Sequence, residues 1–354
     1  MTSKRRSLLT RLLVSLVIGG AFAWLATRGG LPLVPTKADL LQVRPWAIPL
    51  YLASLTVMHG LRASRFRFLV APVRRLELGQ VLSLNFIGFF AIFALPLRLG
   101  ELVRPTLGKA RHGIPLSAGL GTVAVERVCD GLITSLCVAW ALFALERGPV
   151  NDPLARLLPT YGYLALLLFS GGLFTLGLFL WQRALAGRLV RTGVGLISPR
   201  LGELVAQKVD GIAEGLRAIG NVRLASAFIA ESVAYWGMNA LGVWWLGLGC
   251  GLPGFTLGHA VAVMGILAIG ILLPTGPGLF GTFQLVVVSC LRLYLPEEVI
   301  AGQGAVFVFL LYLLQSLVMV GAGLMALARA PELGGALWQG VVPSDRRRAP
   351  NAGP

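Results

Sequence analysis

The sequence predicts an all-α protein, a polytopic transmembrane helical bundle of about six spans plus two opposed re-entrant helical hairpins that read as an inverted repeat. Three observations predict it. Of 354 residues, 56% are hydrophobic and 13% charged, with a mean hydropathy of +0.78, whereas soluble domains carry roughly 25% charged residues. Apolar stretches recur from Leu8 to Leu327 with no long polar segment between them that could fold alone. Two of them stop at a Leu-Pro step followed by glycine, and proline removes a backbone donor and breaks a helix at a depth where lipid offers no partner.

A spanning helix needs about 20 mostly apolar residues. Residues 8–27 supply the first. Lys4, Arg5 and Arg6 ahead of this run and Ala21-Phe22-Ala23 within it resemble a cleaved signal peptide. The run continues through Trp24 to Ala26, however, and reads as an anchor. Residues 46–61 form a second, shorter span. Residues 62–77 hold Arg62, Arg65, Arg67, Arg74 and Arg75 against Glu77, and basic loops stay in the cytoplasm. The run at 80–95 ends at Leu95-Pro96 and leads to Arg104, Lys109 and Arg111, which also read as cytoplasmic. With both flanks on one side, residues 80–104 must enter and return as a re-entrant hairpin.

Residues 117–145 span outward to 146–159, where Glu146 and Asp152 balance Arg147 and Arg156. Residues 160–181 span back to the basic stretch 182–223. Within it, 199–219 places Leu201, Leu204, Val205, Val209 and Ile212 against Glu203, Lys208, Asp210 and Glu214 at helical spacing. That pattern suits a cytoplasmic amphipathic segment, and equally a soluble linker helix. Residues 224–250 span outward; the run at 257–273 ends at Leu273-Pro274, and the stretch with Arg292, Glu297 and Glu298 is acidic and reads as outside. Residues 257–295 therefore form the second hairpin, entering from the outer face. A last span at 301–328 returns the basic tail 331–354, with Arg346, Arg347 and Arg348, to the cytoplasm, where it is expected to be disordered. Residues 1–330 thus read as one transmembrane domain of the inner (cytoplasmic) membrane, both termini cytoplasmic.

The net charge of +16 would suit nucleic acid in a soluble protein. Here the basic residues cluster between apolar segments, where they set topology and favour anionic headgroups. The expected partners are membrane lipids, with anionic lipid headgroups at the cytoplasmic basic loops and no nucleic acid; a homo-oligomer is compatible with the sequence. Cys129, Cys137, Cys250 and Cys290 lie in or beside apolar runs without CxxC spacing and read as packing residues. His59, His112 and His259 form no HExxH-like signature, and no GxxxxGK[ST] segment is present, so neither a metal nor a cofactor is expected. Trp24, Trp46, Trp140, Trp181 and Trp236 read as interface anchors, and His59 and His112 as interfacial.

The charged residues inside apolar segments carry the functional signal. Arg98, Glu101 and Arg104 follow the first break, with Glu101 and Arg104 on one helical face. Glu126, Arg127 and Asp130 lie within the next span. A lone ionised side chain at the bilayer centre costs roughly 2.5–3.5 kcal/mol on insertion scales, so these groups must be paired or hydrated. The economical pairing sets Arg98 or Arg104 against Glu126 or Asp130, and Arg127 against Glu101. Surplus positive charge then faces a cavity, where arginine's planar fork suits phosphate; a purely structural salt-bridge network is the alternative. Lesser candidates are Asn85 in the first hairpin, Glu231 in a later span, and His259, Gly276, Pro277, Gly278, Gly281 and Gln284 in the second hairpin.

Asn85, Leu95-Pro96 with Arg98-Leu99-Gly100-Glu101-Leu102-Val103-Arg104, Val125-Glu126-Arg127-Val128-Cys129-Asp130, and Leu273-Pro274-Thr275-Gly276-Pro277-Gly278-Leu279-Phe280-Gly281 together resemble the flippase-like membrane domain family, also called the lysylphosphatidylglycerol synthase transmembrane region. The resemblance covers nearly the whole chain, and its Gly-Glu-x-x-Arg plus Glu-Arg-x-x-Asp combination is fairly specific. It implies a protein of the cytoplasmic membrane that moves a phosphate-bearing lipid between leaflets, an aminoacyl-phospholipid in some members and a polyprenyl-linked lipid in others. Gln284 stands where many relatives carry glutamate, so no proton or cation role carries over to it. The soluble aminoacyl-transferase domain of the bifunctional members is missing from this sequence, so lysyltransferase activity is not expected.

The leading expectation is therefore a non-enzymatic lipid flippase in which Arg98 and Arg104 hold the phosphate while Glu126 and Asp130 balance charge. Two alternatives are a membrane enzyme acting on lipid-linked phosphate or sugar through Glu126 or Asp130, and a non-catalytic assembly subunit.

Overall fold

The computed structural model of the chain describes residues 35–94, 100–146, 153–181, 218, 220–271 and 277–329. The expected first span, nearly all of the amphipathic segment, the basic tail, and the Leu95-Pro96 and Leu273-Pro274 steps lie outside the described residues. Among those described, every regular element is helical.

A short helix, α1 (Lys37–Leu41), is capped by Thr36, whose side chain accepts from the Asp39 amide while Asp39 accepts from the Thr36 amide at 2.9 Å. In α2 (Ala47–Ser64) Pro49 falls in the first turn, where its missing N–H has no intrahelical acceptor to lose. Arg65 keeps helical geometry (φ −58°, ψ −24°) and joins α2 to the single turn and a half of α3 (Phe66–Val70). Then come α4 (Leu78–Ala94) and α5 (Val103–His112), the latter stopped by Gly113 at φ 66°. Two 29-residue helices follow, α6 (Leu116–Ala144) and α7 (Pro153–Trp181). Asn221 caps α8 (Val222–Gly249), and Thr256 caps α9 (Leu257–Gly270). After α10 (Thr282–Leu291), a helical turn (Glu297–Val299) and a π-helical turn (Ile300–Gly304) run into α11 (Ala305–Arg329).

Among the described residues, Leu116–Ala144, Arg156–Phe174 and Glu297–Arg329 are long and apolar enough to cross a membrane, and Leu78–Phe93, Leu257–Gly270 and Thr282–Leu291 are shorter apolar helices. The expected spans at 46–61 and 224–250 are also helices, α2 and α8, though not among those three. They pack against each other, with Gly242 of α8 seated on Ser54 and Tyr51 of α2 and Gly249 on Ala47. Small residues at such contacts let helix backbones approach closely, which substitutes for a hydrophobic drive inside lipid. The same device joins α4 to α11, where Gly323 meets Phe90, and α6 to α9, where Gly265 meets Val138. The outer face of α7 stays uncovered, with Leu167, Leu168 and Phe174 exposed, as suits a surface facing lipid tails.

The chain folds back on itself at both breaks. Gly100 lies so close to the backbone of Ala91 and Ile92 that a Cβ there would overlap it, and α5 packs along α4. Gly270 is similarly closed by Val286, where α9 and α10 pack together. The turn Pro277–Leu279 rests on α4. Tyr312 of α11 sits at this junction: its hydroxyl donates to the Gly278 carbonyl at 2.9 Å, and its ring lies 6.4 Å from Phe93 and 5.3 Å from Phe283. The two hairpins thus touch near their broken ends. Around them the buried apolar side chains form two main clusters, a large one centred on α2, α8, α9, α10 and α11 and a smaller one between α3, α4, α5 and α6.

Candidate functional site

Between the two apolar clusters lies a set of ion pairs. Arg104, in the first turn of α5, reaches α6 and grips Glu126 with both guanidinium nitrogens, Nη1 to Oε1 at 3.1 Å and Nη2 to Oε2 at 2.5 Å. The same Nη1 donates to Asn85 Oδ1 at 2.8 Å, and Asn85 Nδ2 returns to the Val81 carbonyl of its own helix. Asn85 and Glu126 are 0% and 2% exposed, so neither could remain buried without these partners. The Arg104 guanidinium carbon lies 4.5 Å from the centre of the Phe66 ring, a cation–π contact on the face of the delocalised cation.

One helical turn further along α6, Asp130 is held by Arg65. Both oxygens accept at 2.6 Å in a fork-to-fork pair. Arg65 Nη1 also donates to Ser232 of α8 at 3.0 Å, and Trp236 Nε1 donates to Asp130 at 3.1 Å. Tyr235 lies 4.8 Å from the Arg65 guanidinium. Arg127, half-buried, bridges the two sides, 4.0 Å from Glu101 and 3.8 Å from Asp130. Beside this, Arg67 and the Ser64 hydroxyl both hold Glu231, Arg67 at 2.7 Å and Ser64 at 2.5 Å.

Arg62 completes the site. It projects from the last turn of α2 over the Phe89 ring at 4.5 Å, with Tyr235 at 5.9 Å, and among the described residues it makes no hydrogen bond and no ion pair. It lines a small cavity of about 20 Å³, room for one water, with Asn85, Glu101, Arg104, Glu126 and Arg127. Among the described residues, four arginines, Arg62, Arg65, Arg104 and Arg127, therefore meet three carboxylates, Glu101, Glu126 and Asp130, and the cation left without a carboxylate among them faces that cavity.

The structure brings together Asn85, Glu101, Arg104, Glu126, Arg127 and Asp130, and it makes the Arg104–Glu126 and Arg127–Glu101 pairs expected from sequence. Arg98 and Gly276 lie outside the described residues. Four expectations need correction. Asp130 is paired with Arg65, because Arg104 spends its fork on Glu126. Arg62, Arg65 and Arg67 are side chains of the helical core and its rim, so only Arg74 and Arg75 of that group are exposed loop charge. Trp236 is a buried donor to Asp130 and does not anchor an interface, and His59 is buried within α2.

Among the described residues, the second hairpin contributes no lining residue to the charged cavity. Gln284 is spent locally, its Oε1 accepting the Gly281 amide at 2.8 Å in the first turn of α10. Gly278 (φ 69°) and Gly281 (φ 83°) adopt left-handed backbone, and between them Leu279 does so at φ 61°, a conformation that costs a side-chain-bearing residue roughly 1–2 kcal/mol. Pro277 opens this turn. His259 caps α9 with Thr256, 2.8 Å away. Among the described residues no group of three histidine, cysteine or acidic side chains could hold a metal ion, and the four cysteines are free.

Charges of both signs buried at a broken hairpin, within helices that turn leucine and phenylalanine outward, define a polytopic helical membrane protein with a polar interior. The chain belongs to the lysylphosphatidylglycerol synthase transmembrane-region family, whose model matches residues 12–328. It is accordingly a membrane protein linked to lipid processing. No curated protein and no solved structure matches it.

Proposed function

We propose that this protein is a flippase that carries a phosphate-bearing lipid headgroup, aminoacyl-phospholipid or polyprenyl-linked, across the cytoplasmic membrane, and that Arg62 takes the phosphate. The observation that carries this reading is Arg62 itself, an arginine without a carboxylate partner among the described residues that faces a polar cavity whose other arginines are already engaged. A network that served packing alone would leave no such cation, because each unpaired charge in the membrane interior is costly. The phosphate would sit against Arg62, with Arg127 beside it, while Arg65–Asp130 ties the end of α2 to α6 and Arg104–Glu126 closes the cavity between passages. The 20 Å³ cavity is too small for a headgroup, so the hairpin holding Glu101 and Arg104 must move away from α6 for passage. In this reading both broken segments are re-entrant from opposite faces and the termini are cytoplasmic. The chain is then a transporter without chemistry of its own.

Reconstitution into liposomes with headgroup-labelled lipid in one leaflet tests it. Arg62→Ala should abolish headgroup-dependent exchange while leaving thermal stability in detergent close to that of the parent, and Glu126→Gln should lower both. Exchange unaffected by Arg62→Ala overturns the assignment of the phosphate. A chemically altered lipid would identify an enzyme, and absence of both exchange and turnover with aminoacyl and polyprenyl lipids would leave a structural subunit as the reading.

A further inference from the structure

A second cavity, sharing no lining residue with the first among the described residues, lies between α6, α7, α9 and α10. Its volume is about 410 Å³, within the range of roughly 300–1,000 Å³ typical of small-molecule sites. Apolar side chains build its walls: Val138 of α6, Ala165 and Phe169 of α7, Ile266 of α9, and Leu285 and Val286 of α10. Thr282 and Ser289 of α10 also border it, but both hydroxyls are buried, so neither is presented to the space. Tyr161, Leu164 and Leu168 belong to the lining and are at the same time exposed on α7. The cavity therefore opens through them to the surface that α7 turns toward lipid tails.

We infer that this cavity is a binding site for one acyl chain of a membrane phospholipid, taken in past Leu164 and Leu168 and laid against Ile266 and Val286. Chemistry and size select this occupant. Water is a poor filler, because cavities walled by apolar side chains stay dry. Left empty, the space would forfeit the dispersion contacts of every side chain around it. A further helix, from the chain's own apolar segment at residues 8–27 or from a second copy, is about 10–12 Å across with its side chains. Since α7 already touches α6, α9 and α10, such a helix would enter only by prising them apart. A single hydrocarbon chain is slender and flexible, and it is the solvent on the open side of α7. The walls thus read the chain and not the headgroup. The site is separate from the cavity of Arg62 and does not depend on the protein moving lipid.

The test uses the full chain in phosphatidylcholine nanodiscs that include phosphatidylcholine with a diazirine at the end of one acyl chain. After irradiation, mass spectrometry should place adducts on Ile266 and Val286 inside the cavity as well as on the exposed Leu167 and Phe174. Phosphatidylglycerol with the same labelled chain should give the same ratio of inner to outer adducts; a ratio that changed with the headgroup would overturn recognition of the chain. Ala165→Phe, which fills the cavity from its α7 wall, should abolish the inner adducts and keep the outer ones. Its thermal unfolding in detergent should be no lower than that of the parent, because the ring makes contacts that the space lacks. Leu168→Trp, at the exposed mouth, should lower the inner adducts without disturbing the packed wall, and it carries the test if Ala165→Phe does not fold. Arg62→Ala should leave both sets of adducts unchanged, which separates this site from the proposed transport site. Adducts confined to Leu167 and Phe174, or inner adducts that survive both Ala165→Phe and Leu168→Trp, would overturn the site. A photoreactive residue in place of Ile269 that cross-links to residues 8–27 or to a second copy of the chain, and not to lipid, would overturn the acyl chain as its occupant.

Discussion

Arg65 and Asp130 are both buried and face each other through two short hydrogen bonds, so each is tolerated only because the other is present. Removing one partner strands the other. Asp130→Ala should therefore lower stability by about 3–5 kcal/mol, measured as a shift in chemical or thermal unfolding in detergent. Exchanging both, as Arg65→Met with Asp130→Leu, should recover most of that loss; a double variant as unstable as the sum of the singles would show that the two residues act independently. The acidic half of this cluster was legible in the sequence, because Glu126 and Asp130 stand four apart inside an apolar run. Its basic half was misread because Arg62 and Arg65 are followed by more arginine and resemble a loop. A signal was present all the same: Tyr51, Leu55, Met58, Arg62 and Arg65 continue one i, i+3, i+4 stripe, and on α2 that stripe is the buried face. Trp236 was missed for a related reason, since a tryptophan in an apolar helix gives no hint of whether its N–H meets a carboxylate or the bilayer interface.

At the scale of the elements, the hairpins depend on close backbone approach rather than on the charges they carry. Gly100→Ala places a methyl group into the backbone of α4 at Ala91 and Ile92, which must shift to admit it. Overpacking of that kind costs typically about 1–3 kcal/mol, and the displaced turn would carry Glu101 away from Arg127. Thermal unfolding should fall and lipid exchange should be lost, whereas Gly79→Ala, in open space at the other end of α4, should leave both near the parent values. Equal effects of the two substitutions would show that helix propensity, and not the fold-back at the break, is what matters. That α4 ends near Ala94 and α9 near Gly270 could be read from proline and glycine spacing because those residues act on their own backbone. What lay opposite each break could not, since that depends on contacts between distant segments. Gln284 illustrates the difference: a polar residue three positions after a glycine serves as a ligand or a cap, and only the folded turn shows it accepting the Gly281 amide.

At the scale of the whole molecule, helices could be placed from apolar run lengths, while orientation rests on where the remaining basic residues fall. Reassigning Arg62, Arg65 and Arg67 to the helical interior and its rim removes them from the positive-inside count, which is a rule about loops. Arg74, Arg75, Lys109 and Arg111 remain, on segments that flank the first hairpin, and under the positive-inside rule they favour the proposed arrangement, in which both of its ends are cytoplasmic. In the proposed arrangement the opposite side carries the Arg292–Glu297 pair at 2.8 Å and Glu298, beyond α10. Single-cysteine labelling decides between this arrangement and a simple crossing. Cys250 and Cys290 are buried, so only the half-buried Cys129 and Cys137 compete for reagent, and serine at those two positions gives a quiet background. In right-side-out vesicles, Glu298→Cys should react with a membrane-impermeant maleimide, and Lys109→Cys should react only after the membrane is permeabilised. Inverted vesicles should reverse the two. If position 109 labels instead from the outer side, residues 80–104 cross the membrane and do not turn back within it, and the phosphate path would have to be sought along α6 alone.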